Sequence, residues 1–223
     1  VFAAGRRVGE NRVWVRITEM TFPQLTQIGS LMPSAAENRY STVAMSRWHV
    51  PVDDKNTILF GWRHFNDEVD PKHEGTKADC GVDKIDFLDG QTGDRTYDEG
   101  QRAPGDWEAL TSQGEITVHG REHPGKSDTG VYLCRKLLRD NMKAVAEGKP
   151  VGRVRKDNES GLHIYSQDSV LNIAAPTDRD DSALIMDLNK KVVAIMREGD
   201  ELPSSERDAH IRNRLNDLDG GLN

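Results

Sequence analysis

Cysteine is almost missing from this chain. Cys80 and Cys134 are the only two among 223 residues, and they stand at no metal-ligand spacing. A disulfide framework and a four-cysteine zinc site are therefore excluded, and two separate thiols fit a reducing cytoplasm. Long apolar runs are missing too: nothing approaches the ~20 residues needed to cross a bilayer, and no secretory signal is expected. The expectation is a cytoplasmic protein without a membrane partner. A basic surplus is also absent, with 30 Lys and Arg against 37 Asp and Glu, so no basic stripe exists for nucleic acid. Hydrophobic content of 35% against 30% charged describes a thin core, and the length suits one domain.

What is present is unevenly spread. Residues 66–100 carry eleven acidic and four basic side chains, which accounts for the whole net charge of −7. A surplus concentrated in a turn-rich segment reads as a solvated, mobile acidic loop. The stretch Asp86-Phe-Leu-Asp89-Gly-Gln-Thr-Gly-Asp94 does not follow an EF-hand loop, so calcium is not its expected occupant.

Around that loop the periodicities are regular. Arg12-Val-Trp-Val-Arg-Ile-Thr alternates strictly and predicts a strand near 11–18. Residues 40–50 and 57–65 predict two more, joined as a hairpin by Asp53-Asp54-Lys55-Asn56. Pro104-Gly105 opens a helical turn at Asp106. Ser127-Asp128 is expected to cap a long helix over 128–147, packed across the sheet through Val131, Cys134, Leu138 and Val145. Gly148 and Pro150 end it. Strands followed by helices give an α+β fold, with helices on one face of an antiparallel sheet. Beyond 150 the chain turns polar. Residues 168–173 and 182–186 read as short strands or one-turn helices, and Ser204 starts a C-terminal helix holding Ile211 and Leu215. The expected division is therefore 1–150 and a polar extension, 151–223, packed on it.

Candidate chemistry is sparse among the seven histidines. His119-Gly-Arg-Glu122-His123 matches the H-x-x-E-H pattern of one zinc peptidase class, but Gly120 and Pro124-Gly125 break the helix that chemistry needs. His49 and His64 read as packed or hydrogen-bonded sheet residues. Asp106, opening a helical turn, is on that ground alone a plain N-cap.

The run from Asp106 through Gln113-Gly114, Arg121-Glu122-His123 and Ser127-Asp128 to Arg135, together with Trp48-His49-Val50-Pro51-Val52-Asp53-Asp54, resembles the C-terminal catalytic region of Rieske-type non-haem iron oxygenase α subunits. The resemblance covers roughly residues 10–150. It implies a helix-grip arrangement, a curved antiparallel sheet on a long helix with a substrate cavity between them. It also implies that Asp106 is the carboxylate of a two-histidine, one-carboxylate Fe(II) site, which leaves one face of the metal open. In that family the two histidines and the [2Fe-2S] ligands lie upstream of the region matched here, so the chain reads as a catalytic-domain portion incomplete at its N-terminus. The implied partners are dioxygen, an aromatic substrate that is hydroxylated or O-dealkylated, a reductase or ferredoxin, and further copies of the subunit. Met45, Trp48, Trp62 and Leu110 are candidate pocket residues, although a core role fits each equally. Two other functions stay open: a non-catalytic binder of small hydrophobic ligands, and one subunit of a split oxygenase.

Overall fold

A computed structural model describes residues 1–29, 40–65, 67, 95–151, 162–178 and 180–220. The expected exposed acidic loop falls largely outside these residues, since of 66–100 only 67 and 95–100 are described.

Among the described residues seven strands form one antiparallel sheet: β1 (Phe2–Arg7), β2 (Val13–Thr21), β3 (Leu25–Ile28), β4 (Tyr40–Ser41), β5 (Met45–Pro51), β6 (Thr57–Arg63) and β7 (Gln167–Leu171). Their order is β4-β7-β2-β3-β5-β6, with β1 also paired to β2. The helices are α1 (Tyr97–Arg102), α2 (Asp106–Thr111), α3 (Thr129–Ala146), α4 (Asp181–Glu198) and α5 (Ser204–Gly220). The α+β class with a curved antiparallel sheet on a long helix is what the structure has. The three expected strands and the hairpin are in place. Asp53 closes the hairpin turn, its Oδ1 accepting the amides of Lys55 and Asn56 at 2.8 Å each.

The helix that grips the sheet is not the expected one. Residues 129–146 are helical, but no residue of α3 is buried, and Val131, Leu138 and Val145 are 48%, 46% and 63% exposed. Cys134, half-buried, is the exception in part: its Sγ lies 3.5 Å from Met20 Sδ on β2. The core is built instead by α4, in the segment expected to hold only short elements. Leu184, Leu188, Val192, Ile195 and Met196 fall at helical spacing and are all buried against Val13, Val15 and Ile17 of β2 and Leu171 of β7. Asp180 caps α4 by accepting the Ser182 amide at 3.1 Å. Asp181 forms an ion pair with Arg7 of β1. Close approach of β1 requires Gly5, because a Cβ there would come 2.6 Å from Ile185 Cγ2. α5 then seals the layer through Ile211 and Leu215, as its periodicity predicts. Its end is fastened to β7 through Asn172, whose Nδ2 donates to Asp219 Oδ2 at 2.9 Å.

Candidate functional site

Side chains alternate along a strand, so the sheet presents two distinct surfaces. Val13, Val15 and Ile17 face α4. By the observed register, Ser46, Trp48, Phe60 and Trp62 continue that surface toward the β5–β6 edge. Met20, Thr26, Met45, Arg47 and His49 lie on the opposite surface. α3 meets that second surface at Cys134, whose Sγ reaches Met20 there. At the hairpin tip Lys55 pairs with Glu115 at 2.6 Å, an exposed contact worth little by itself.

Asp106 is the first residue of α2, and it is exposed. Its carboxylate is not the cap of that helix. Gly105 holds the N-cap position, and its amide donates to Glu108 Oε2 at 2.9 Å. This bond is the main reason the Glu108 carboxyl lies below the usual glutamate range. Asp106 is thus free of the plain capping role. Its charge acts across the gap on Arg47 of β5: burial lowers the Arg47 pKa, Asp106 opposes that shift, and Arg63 adds to it.

Of the other candidates, Met45 is 1% exposed and shares the Arg47 surface of the sheet, with Arg47 Nε donating to its sulfur at 2.8 Å. Trp48 and Trp62, 37% and 65% exposed, lie on the other surface. Leu110, 62% exposed, points to solvent from α2. Met45 and Arg47 share one surface, and Arg47 feels the Asp106 charge, while the two tryptophans lie on the other surface. Arg47 was not singled out by sequence reading. Its signal was an arginine in the middle of a strand, beside the buried Ser46 and two positions on from the buried Met45.

The histidines behave as sheet and loop residues. His49 Nε2 lies 3.0 Å from Thr26 Oγ1, and partial burial followed by the Arg47 charge lowers its pKa. His64 Nε2 lies 3.3 Å from Ser46 Oγ, and burial lowers its pKa. His119 opens a three-residue 3-10 turn, Val118 and Glu122 on either side are extended, and no H-x-x-E-H helix forms. Among the described residues no group of three or more His, Cys, Asp or Glu side chains could hold a metal. The donor set present therefore fits Fe(II) only in part, with one exposed carboxylate that can serve as one of three ligands.

The rest of the motif builds the link between α2 and α3. Gln113 Nε2 donates to Ala109 O at 3.1 Å, closing the end of α2, and Gly114 makes the turn at φ 78°. Glu122 and Arg135 form a two-bonded ion pair at 2.6 and 2.9 Å that fastens the connecting loop to α3. Asp128, expected to cap α3, turns its Oδ2 back to the Gly125 amide at 2.7 Å instead. These residues border a cavity of about 260 Å³ lined by Gln113, Glu122, Asp128 and Arg135 among others.

Arg135 holds the Glu122 carboxyl below the ordinary range. A depressed folded-state pKa contributes stability that is complete above the unfolded value, about 4.3, and is lost as pH falls through the folded one. Glu122→Gln should therefore lower the melting temperature of the 223-residue chain at pH 7, and the gap should close below about pH 4. A gap that stays the same from neutral to acid pH would show that the ion pair is not its source.

No family model matches the chain. The oxygenase subunit of tert-butanol monooxygenase / tert-amyl alcohol desaturase from Aquincola tertiaricarbonis is 51% identical over 225 aligned residues, spanning 100% of this chain and 47% of that protein. The α subunit of phenoxybenzoate dioxygenase from Ectopseudomonas oleovorans is 27% identical over 174 residues, 78% of this chain and 37% of that protein. The chain thus spans less than half the length of the curated relatives it matches. No helix among the described residues is long and apolar enough to cross a membrane. The resemblance carried by the Asp106–Arg135 pattern extends over the whole chain, which belongs with the Rieske-type oxygenase α subunits as part of such an enzyme.

Proposed function

We propose that residues 1–150 are the C-terminal part of the non-haem iron catalytic domain of a Rieske oxygenase, that 151–223 pack on the same domain, and that Asp106 is the iron carboxylate of the intact enzyme. The observation that carries this reading is the full-length similarity to an oxygenase subunit, with Asp106 left free of its capping role by Glu108. Iron held there would supply the oxygen-activating chemistry, with electrons from a [2Fe-2S] cluster outside this chain and from a ferredoxin or reductase. The residues of this chain have simpler tasks. Asp106 presents an anionic oxygen donor to the metal, while Arg47 sets the charge on the sheet side of it. Residues 112–128, fastened by Glu122 and Arg135, hold α2 against drift relative to α3. The intact enzyme is proposed to be a homo-oligomer that works in the cytoplasm.

The substrate reading from the sequence is an aromatic compound that is hydroxylated or O-dealkylated, and the phenoxybenzoate enzyme's name is in keeping with it. A small tertiary alcohol is the second reading, favoured by the higher identity to the tert-butanol enzyme. The test is oxygen uptake and product analysis with the intact oxygenase, its electron donors, and either tert-butyl alcohol or phenoxybenzoate. Turnover of one class selects that reading. Absence of uptake with both, in an iron-loaded and reducible enzyme, removes both readings. Ligand binding without uptake would instead favour the non-catalytic binder.

A further inference from the structure

We propose that Glu108 is the positioning residue for Asp106: it fixes the backbone from which the ligand carboxylate projects, and Arg95 holds it in place. This rests on Asp106 being the iron carboxylate. α2 has only six residues, far too few to be rigid alone. Its start is set from outside the helix. The Gly105 amide, one residue before Asp106, donates to Glu108 Oε2 at 2.9 Å and keeps Gly105 extended at φ −148°, ψ −159°. The second carboxylate oxygen, Oε1, faces Arg95 Nη2 at 3.4 Å. Arg95 is itself fixed by the Ala103 and Glu99 carbonyls at 2.6 and 3.2 Å, which ties α2 to the end of α1. Gly100, the buried residue of α1, makes room for this seat, because a Cβ there would stand 3.0 Å from Glu108 Oε1.

The two acids two residues apart therefore have opposite tasks. Glu108 and Arg95, with side chains 25% and 18% exposed, are turned inward on each other and on the Gly105 amide. Asp106 is exposed, and its charge acts on Arg47. Both Glu108 oxygens are engaged, so Glu108 is not a second metal donor. Its part is to hold the Cα–Cβ direction of Asp106, without which a flexible carboxylate binds metal weakly.

The experiment measures Fe(II) affinity by chelator competition, with a thermal melt of every sample, in the intact oxygenase and its Asp106→Ala, Glu108→Ala, Glu108→Gln and Arg95→Met variants. Glu108→Ala should weaken iron binding about 10-fold, the lower end of what supporting groups around a metal contribute. Glu108→Gln keeps a carbonyl oxygen for the Gly105 amide and should recover most of that loss. Arg95→Met should give a smaller loss in the same direction. Loss of iron on Asp106→Ala together with parental affinity in Glu108→Ala would overturn the positioning role alone. So would equal damage in Glu108→Gln and Glu108→Ala. Should Glu108→Ala not fold, parental affinity in Arg95→Met overturns it. Retention of iron by Asp106→Ala would overturn the Asp106 assignment and this inference with it.

Discussion

Asp106→Ala in the intact oxygenase is expected to abolish turnover and lower iron content on the order of 100-fold or more, since groups that merely support a ligand are worth ~10–100-fold each. The carboxylate has little structural work beyond its charge acting on Arg47. It is exposed, it does not cap α2, and the Gly105 amide is satisfied by Glu108. Alanine is also a better helix former than aspartate, so the variant should fold as the parent does. Loss of iron in a protein with an unchanged melting curve would therefore report ligation and not collapse. The 223-residue chain should itself contain iron far below one equivalent, because its described residues assemble no three-ligand group. Metal analysis of the variant and of the chain checks both outcomes. Stoichiometric iron in Asp106→Ala would remove the aspartate from the site.

Leu188→Ala should be the most damaging of the aliphatic truncations. Leu188 is 0% exposed on α4, in one apolar cluster with Val13, Val15, Leu184 and Val192. Truncating a leucine in such a core costs about 2–5 kcal/mol, from lost transfer energy and from the cavity left behind. For a chain of this size that lowers the melting temperature by roughly 4–20 °C. Leu138→Ala on α3, at 46% exposure, should cost well under half as much in the 223-residue chain. Thermal or urea unfolding of the two variants decides which helix grips the sheet. If Leu138→Ala were the more destabilising, the assignment of the core to α4 would be wrong.

The candidate site was legible only in part. Asp106 and its surrounding pattern could be picked out because the spacing from Asp106 to Arg135 is a linear property of the chain. Glu122 and Arg135 both belong to that pattern, yet their pairing across thirteen positions needed the loop to fold back. Glu108 was passed over because a glutamate at the third position of a short helix is ordinary until its oxygens are seen on Gly105 and Arg95. Arg47 was hidden for a related reason: Asp106, whose charge opposes the effect of its burial, is far along the chain. Trp48 and Trp62 were grouped with Met45 by size and proximity in sequence, but strand alternation puts them on the other surface of the sheet.

By itself the sequence determined the elements whose signal is local. The alternation of Val13, Val15 and Ile17 made a strand, the Asp53–Asn56 turn made a hairpin, and the spacing of Ile211 and Leu215 made the last helix. The helical repeat of residues 129–146 also made a helix, but amphipathicity says only that one face can be buried, not what buries it. Tertiary structure decided that. β7, brought back from residue 167, pairs with β2 and completes the apolar surface on which α4 lies. Gly5 admits α4 closely at β1, while α3 is left with no buried residue. The choice between two helices of equal length depended on which one could reach that surface, and reach is set by long-range pairing, which no local pattern carries.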